Sequence, residues 1–147
     1  MRELHSEIEI DGAPERVWRI LTDFDSYPEW NPFLRRARGE PKTGERLEVH
    51  VQPSNGRGMT FRPTVIEAEP NRELRWLGHL GVRGLFDGEH SFVIKPLGES
   101  LVRFVQHEVF TGLLVPLLFR MIEKDSRRGF EEMNRALKER AEQVSEP

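Results

Sequence analysis

Hydrophobic and polar residues alternate along the first ten residues of the chain. Residues 3–10 place one set of side chains on a shared face, and this set consists of Leu4, Ser6, Ile8 and Ile10. A period of two residues predicts a β-strand that buries one face. Segments of strand-like composition recur further along, separated by turn-forming glycine, proline and asparagine. We therefore predict additional strands at 33–39, 45–52, 59–69, 72–79, 86–96 and 101–111.

The period changes to between three and four residues in the last part of the chain. From Val115 onward one side of the pattern carries Leu118, Ile122, Gly129, Phe130, Met133 and Leu137, and charged residues occupy the other side. This spacing predicts an amphipathic helix that ends near residue 142. Two short helical segments are predicted between the first and second strands, and Pro14 suits the first turn of a helix.

Length and composition restrict the classes of protein that fit. The 147 residues suit a single domain at 1–142, with residues 143–147 as a loose tail. The net charge of −3 and the pI of about 6.0 argue against a nucleic-acid partner. The chain has no cysteine, which excludes disulfides, thiol nucleophiles and thiolate metal sites.

The sequence also argues against a membrane or secretory segment. The most apolar run, residues 113–119, is shorter than the roughly 20 residues that a spanning helix needs, so we expect no stable membrane insertion. Charged residues follow Met1 directly, which argues against a signal peptide and favours the cytoplasm. The same apolar run, together with Phe86, is a candidate homodimer contact.

The chemistry of interest lies on the two predicted strands at 86–96 and 101–111. If the turn at 97–100 pairs these strands so that His90 faces Glu108, alternate residues of both strands share a face. That face must be the inner one, because it consists of His90, Phe92, Ile94, Phe104, Gln106 and Glu108. Glu89, Ser91, Lys95, Arg103 and His107 then lie on the outer face. The pattern thus predicts a polar group inside an aromatic-lined cavity.

Three roles are open to the pair of His90 and Glu108. It is a hydrogen-bonding clamp for a ligand, a structural cross-strand contact that fixes the register, or an acid–base pair that shares one proton. A metal held by these two residues alone would lack ligands, so no metal is expected, and no cofactor motif is present.

Several short motifs carry a family resemblance. The chain has Ala13-Pro14-Glu15-Arg16-Val17-Trp18, then Tyr27-Pro28-Glu29-Trp30-Asn31-Pro32, and later Gly88-Glu89-His90-Ser91-Phe92 and Glu108-Val109-Phe110-Thr111-Gly112. These segments resemble the Bet v 1-like or START-like (SRPBCC) superfamily, and in particular its bacterial polyketide cyclase/dehydrase branch. The resemblance implies an α+β helix-grip fold. In that fold a curved antiparallel seven-stranded sheet wraps around a long C-terminal helix, and two short helices follow the first strand.

The fold implied by the resemblance favours binding of a small hydrophobic ligand, such as a lipid, an isoprenoid, an aromatic or a polyketide-like compound. The cavity would lie between the sheet and the C-terminal helix, with Trp30 at its mouth. The residues expected to contact the ligand are Trp30, Phe61, Trp76, His90, Phe92, Phe104, Gln106, Glu108, Phe110 and Ile122. Two alternatives stay open: a cofactor-independent cyclase or dehydrase that uses His90 and Glu108, and a protein-interaction module.

Overall fold

The protein is described by a computed structural model that covers residues 1–54 and 56–143. Its strands are β1 (Arg2–Ile10), β2 (Leu34–Arg38), β3 (Glu48–Val51), β4 (Met59–Phe61), β5 (Thr64–Glu69), β6 (Glu73–His79), β7 (Asp87–Gly98) and β8 (Leu101–Thr111). The predicted tail at 143–147 lies outside the described residues except for Gln143.

The helices follow the predicted order. They are α1 (Pro14–Thr22), α2 (Tyr27–Trp30) and α3 (Val115–Glu142), and a turn of 3₁₀-helix at Phe24–Ser26 precedes α2. Pro14 begins α1, where its missing amide hydrogen costs nothing. The carbonyl of Leu21 near the end of α1 accepts a hydrogen bond from the Tyr27 hydroxyl, which holds α1 and α2 together.

The expectation of one curved seven-stranded sheet is wrong. The described residues form a five-stranded antiparallel sheet in the order β1-β8-β7-β6-β5 and a three-stranded sheet in the order β2-β3-β4. The larger sheet is not strongly curled around the helix. The α+β class, the long C-terminal helix and the two short helices after the first strand are confirmed.

Pro63 explains why the predicted strand at 59–69 divides. Proline has no amide hydrogen and cannot donate to a neighbouring strand, so a continuous ladder breaks there. The chain pairs with β3 up to Phe61 and with β6 from Thr64 onward. The Pro63 carbonyl accepts a hydrogen bond from the Leu47 amide at 2.8 Å, and this bond connects the two sheets.

The predicted register of β7 and β8 is confirmed. His90 pairs with Glu108, Phe92 with Gln106, and Ile94 with Phe104. The opposite face carries ion pairs across the strands, which identifies it as the outer face. These pairs are Arg75–Glu89, Arg103–Glu9 and His107–Glu3.

Helix α3 packs across the inner face, mainly over β1 and β8. Gly129 allows a close approach in the middle of α3, since a Cβ atom built there would lie 2.2 Å from the ring of Phe33. At its end, Arg16 of α1 donates to the carbonyls of Ala141 and Gln143, which have no partner within the helix. No helix in the described part of the chain is long and apolar enough to cross a membrane.

Candidate functional site

A cavity of about 370 Å³ lies between the two sheets and the first half of α3. Its floor is formed by the inner faces of β6, β7 and β8, and its side by β3 and β4. Helix α3 closes it from above with Leu118, Met121, Ile122 and Phe130. This volume is within the range of pockets that hold small organic ligands.

Two glycines face each other on the cavity wall. Gly78 on β6 pairs directly with Gly88 on β7, and both lie on the cavity wall. A Cβ atom at Gly78 would lie 3.3 Å from the ring of Phe61, and one at Gly88 would lie 2.6 Å from Oε2 of Glu108. The two glycines therefore let the Phe61 ring and the Glu108 carboxylate approach the backbone of the cavity wall closely.

Aromatic rings form a large part of the apolar wall. Trp76 on β6 contacts Phe61 on β4 with their ring centroids 6.5 Å apart. Phe110 on β8 packs against Phe86 and against Phe119 of α3. Such edge-to-face and tilted packing fixes the rings, so the wall is preformed and a flat apolar molecule can lie against it.

His90 lies at the deep end of the cavity and is only 4% exposed. Its ring stacks on Phe92 with their centroids 4.2 Å apart and the planes 15° from parallel. Phe130 of α3 and Trp76 flank the same ring at 4.8 and 5.9 Å. The imidazole is therefore held in one orientation by rings on three sides.

Gln106 determines which nitrogen of His90 carries a hydrogen. The Gln106 Nε2 donates to the Phe130 carbonyl at 3.2 Å and to Asn134 Oδ1 at 2.8 Å. Because a carbonyl oxygen can only accept, the amide of Gln106 has to point its nitrogen toward α3. Its oxygen then faces His90 Nε2 at 3.0 Å, so Nε2 is the donor there.

The network continues to β1. Asn134 Nδ2 donates to the Ser6 hydroxyl at 2.8 Å, and Ser6 pairs with Gln106 in the β1–β8 register. Gln106 and Asn134 are both buried, and both side-chain amides have hydrogen-bond partners. The network thus fastens the middle of α3 to the sheet directly behind His90.

Glu108 is the polar side chain next to His90 that faces the cavity. Its Oε1 lies 3.5 Å from His90 Nδ1, and its side chain is 18% exposed. Its Oε2 lies against Gly88, close to the place where a side chain at that residue would begin. A carboxylate and an imidazole nitrogen at the end of an apolar cavity are suited to orient a ligand or to transfer a proton.

The mouth of the cavity is mixed in character. Met59, Leu80 and Met121 line it and are exposed apolar residues, while Arg57 and Asp125 contribute opposite charges. His79 on the rim contacts Asp87 at 2.8 Å. Partial burial disfavours the Asp87 carboxylate, but the hydrogen bonds from His79 and from the Gly84 amide outweigh it and lower the pKa of Asp87.

The structure brings six of the ten predicted ligand-contacting residues to the cavity wall. They are Phe61, Trp76, His90, Glu108, Phe110 and Ile122. Phe92, Phe104 and Gln106 are fully buried in the layer behind it. The placement of Trp30 at the mouth is wrong, because Trp30 packs on Tyr27 and does not line the cavity.

The residue that the "Tyr-Pro-x-Trp-Asn-Pro" segment directs toward the cavity is Phe33. Asn31 Oδ1 accepts hydrogen bonds from the amides of Phe33 and Leu34, which turns the chain into β2. Phe33 thereby reaches the cavity and packs edge-on against Phe130. The segment is therefore structural, and a cap of this kind leaves no periodic signal in the sequence.

Sequence reasoning missed two more features of the site. Asn134 is polar within the apolar stripe of α3, and this exception to the pattern was the available signal. The second feature is the cross-strand pair of Gly78 and Gly88. It follows from the register in which Trp76 pairs with His90, just as strand alternation predicts the pair of His90 and Glu108. In the described part of the chain, no cluster of three or more His, Asp or Glu side chains is placed to hold a metal ion.

The apolar segment 113–119 divides into buried and exposed residues. Val115, Phe119 and the neighbouring Phe86 belong to the core. Leu113 and Leu117 are 82% and 69% exposed, and Met121 one turn further along α3 is 73% exposed. The exposed part of the predicted contact is therefore smaller than the segment.

Comparison with known proteins identifies relatives along almost the whole chain. Residues 1–142 match the model of a family described as polyketide cyclase/dehydrase and lipid transport. No curated protein matches the sequence at a significant level.

Solved structures share the fold at low sequence identity. A START superfamily protein from Mycobacterium smegmatis is 23% identical, has a TM-score of 0.75, and is covered over 99% of its length by 97% of this chain. The Zhui aromatase/cyclase from a Streptomyces species is 16% identical with a TM-score of 0.74, with 96% of this chain covering 93% of it. Norcoclaurine synthase from Thalictrum flavum, solved with dopamine and hydroxybenzaldehyde, is 13% identical with a TM-score of 0.72, with coverages of 99% and 89%.

Proposed function

The chain belongs to the polyketide cyclase/dehydrase and lipid transport family, and on that premise we propose that it binds a small hydrophobic molecule inside the cavity. The ligand is a lipid, an isoprenoid, an aromatic or a polyketide-like compound. It enters between the β3–β4 side and α3, lies against Phe61, Trp76 and Phe110, and directs one polar group toward Glu108.

The observation that carries this proposal is the cavity of about 370 Å³, which has a largely apolar wall and the polar pair of His90 and Glu108 at one end. A core that served only stability would fill this space, because interiors pack densely and an unfilled cavity lowers the free energy of unfolding. The apolar wall with one polar end has the character of a ligand pocket.

Native mass spectrometry of the purified protein, followed by organic extraction, tests the proposal. We expect a bound apolar molecule at near-stoichiometric amount, or uptake of one from a mixture of lipids and polyaromatic compounds. Gly78→Leu is the matched control, because it adds a side chain beside Phe61 at the cavity wall. An apo mass that persists in every mixture, or equal uptake by wild type and Gly78→Leu, contradicts the proposal.

An enzymatic role is the second candidate, favoured by the position of His90 and Glu108 at the cavity end. One of them would remove a proton from the carbon next to a ligand carbonyl, as aldol-type cyclisation or dehydration requires. The test is hydrogen–deuterium exchange at the methyl group of 2-acetylnaphthalene in heavy water. Catalysed exchange that is lost in both His90→Gln and Glu108→Gln supports the enzyme, and exchange at the buffer rate rejects it for this substrate class.

An interaction role is favoured by the exposed side chains of Leu113, Leu117 and Met121. The partner would be a second copy of this chain. Light scattering coupled to size-exclusion chromatography checks this proposal with wild type and Leu117→Glu. A dimer that Leu117→Glu dissociates supports it, and a monomer across the concentration range contradicts it.

A further inference from the structure

Most hydrogen-bonding groups at the deep end of the cavity already have partners within the protein. His90 Nε2 and all hydrogen-bonding atoms of the Gln106 side chain are engaged with one another or with α3. Within residues 1–54 and 56–143, the polar contact of Glu108 is the one between its Oε1 and His90 Nδ1. Oε2 of Glu108 lies against the backbone of Gly88, and the Glu108 side chain lines the cavity and is 18% exposed. A ligand at this end therefore meets a carboxyl group whose Oε2 has no polar partner among the described residues.

The chemistry of the carboxylate makes Oε2 an acceptor. A carboxylate has no hydrogen to donate, and both of its oxygens accept hydrogen bonds. The hydrogen on His90 Nε2 is directed to Gln106 and not to Glu108. Since Oε1 lies toward His90 Nδ1, Oε2 is the oxygen left to accept from a ligand.

The space next to Oε2 restricts the shape of what binds there. Gly78 and Gly88 lie in one cross-strand row that continues to Phe110, and Trp76 lies in the neighbouring row opposite His90. A flat ring lying on this wall would direct a substituent on its edge toward the carboxyl group of Glu108, which lines the same cavity. The cations nearest to the cavity lie elsewhere, with Arg57 at the mouth and His79 engaged with Asp87.

We propose that the cavity selects neutral aromatic molecules that carry a hydroxyl group, and that this hydroxyl donates its hydrogen to Oε2 of Glu108. Ligands whose only polar group is an acceptor, such as an ether, leave Oε2 without a partner. Carboxylates bring a negative charge against the carboxyl oxygen of Glu108 and are rejected at this end. This inference rests on the proposed ligand-binding function and specifies the chemistry of the ligand.

Four probes of the same ring system test the selectivity in the wild-type protein. They are naphthalene, 2-naphthol, 2-methoxynaphthalene and 2-naphthoate, compared by calorimetric titration at neutral pH. We expect 2-naphthol to bind at least about tenfold more tightly than 2-methoxynaphthalene, the size of effect expected for a hydrogen bond to a charged or strongly polar acceptor. The 2-naphthoate anion should bind more weakly than naphthalene.

The outcomes distinguish a failure of the hydroxyl selectivity from a failure of the proposed ligand-binding function. If none of the four probes binds, the proposed function fails for aromatic ligands. If they bind but 2-methoxynaphthalene equals 2-naphthol, or 2-naphthoate binds best, the cavity is a binding site and the hydroxyl selectivity is wrong.

Two variants at position 108 sharpen the test. In Glu108→Gln the amide nitrogen donates to His90 Nδ1 and the amide oxygen still faces Gly88, so the preference for 2-naphthol should persist at reduced size. Glu108→Met has no acceptor of this kind, and the preference should vanish. Glu89→Met is the matched control, because it replaces a glutamate on the outer face of β7, where the preference should be unchanged. A preference that survives in Glu108→Met overturns the assignment.

Discussion

At the scale of single residues, the Gln106 side chain connects the histidine of the cavity to helix α3. Its amide nitrogen reaches the Phe130 carbonyl and Asn134, and its oxygen accepts from His90 Nε2. The orientation of one amide therefore sets which nitrogen of the histidine donates. Gln106 is a positioning residue, since it is fully buried behind the cavity wall.

Replacing Gln106 tests this arrangement. Gln106→Leu leaves His90 Nε2 and the side-chain oxygen of Asn134 without their partner in a buried environment. Unfolding in urea should show a loss of about 2 kcal/mol in the free energy of unfolding, the usual cost of unpaired buried groups. The ring ¹⁵N spectrum of His90 gives a readout that a purely structural role would not move.

In the wild type, Nε2 should be protonated, and in Gln106→Leu the ring should exchange between its two neutral tautomers. A loss below about 0.5 kcal/mol, together with an unchanged ring spectrum, would contradict the role of Gln106.

Residue patterns supplied part of this site and missed its other parts for physical reasons. The facing of His90 and Glu108 follows from strand alternation, since a cross-strand register is fixed once one pair is known. The direction of the Gln106 amide does not follow, because it depends on a helix carbonyl that is distant in sequence. The wrong placement of Trp30 has the same origin, since the cap formed by Asn31 turns the chain before Phe33.

At the scale of elements, the close packing of α3 against Phe33 depends on Gly129. The ring of Phe33 occupies the position where a side chain at residue 129 would begin. Gly129→Ala gains helix propensity of about 1 kcal/mol, but the clash with a buried ring should cost more than this gain. We expect a net loss of about 2 kcal/mol in the free energy of unfolding, measured by urea denaturation.

A second substitution separates the clash from other effects. In the double variant Gly129→Ala with Phe33→Leu, the shorter side chain makes room, so the two effects should be non-additive and part of the loss should be recovered. Strict additivity of the two single variants would show that the close approach of α3 to Phe33 is not what Gly129 provides.

The end of α3 is held by a carboxylate whose protonation affects stability. The Lys138 ammonium and the Asp11 amide both donate to Glu142, and they lower its pKa below the ordinary value of 4.5. A group with a lowered folded pKa stabilises the fold above its unfolded pKa and loses this contribution as the pH falls. The contribution of Glu142 is therefore complete at neutral pH, and it is lost as the pH falls from about 4.5 through the lowered pKa of the folded state.

Glu142→Gln should reduce the free energy of unfolding by less than about 1 kcal/mol at neutral pH, because the group is partly exposed to solvent. The difference between wild type and variant should shrink as the pH is lowered through 4.5 in a urea denaturation series. Glu139→Gln, an exposed position on the same turn, is the control and should show no such trend. A difference that stays constant with pH would contradict the role of Glu142.

The boundaries of elements were predictable where a period was sustained and failed where a single residue broke it. The helix from Val115 and the strand at 101–111 appear where the pattern places them. The strand at 59–69 does not, since its alternation continues through Pro63 while its hydrogen bonding cannot. Because local periodicity does not specify partners, the division into two sheets was not visible in it.

At the scale of the whole molecule, the cavity exists because three packed layers do not fill the space between them. The five-stranded sheet, the three-stranded sheet and α3 enclose it, and the network around Gln106 keeps α3 at a fixed height over β8. The family and its fold were recognisable from short motifs, and the match over residues 1–142 confirms that recognition. The volume and shape of the cavity depend on how side chains from all three layers pack, which no local pattern contains.

The most direct test of the account is an NMR titration of the ¹⁵N-labelled protein with 2-naphthol. We predict that the signals that shift belong to the Trp76 indole and to the amides of Gly78, Gly88 and His90, and that Gly78→Leu abolishes these shifts. Signals of Leu113 and Leu117 should remain in place. Shifts confined to Leu113 and Leu117, or an unchanged spectrum at saturating 2-naphthol, would contradict the claim that the cavity between the sheets and α3 is the binding site.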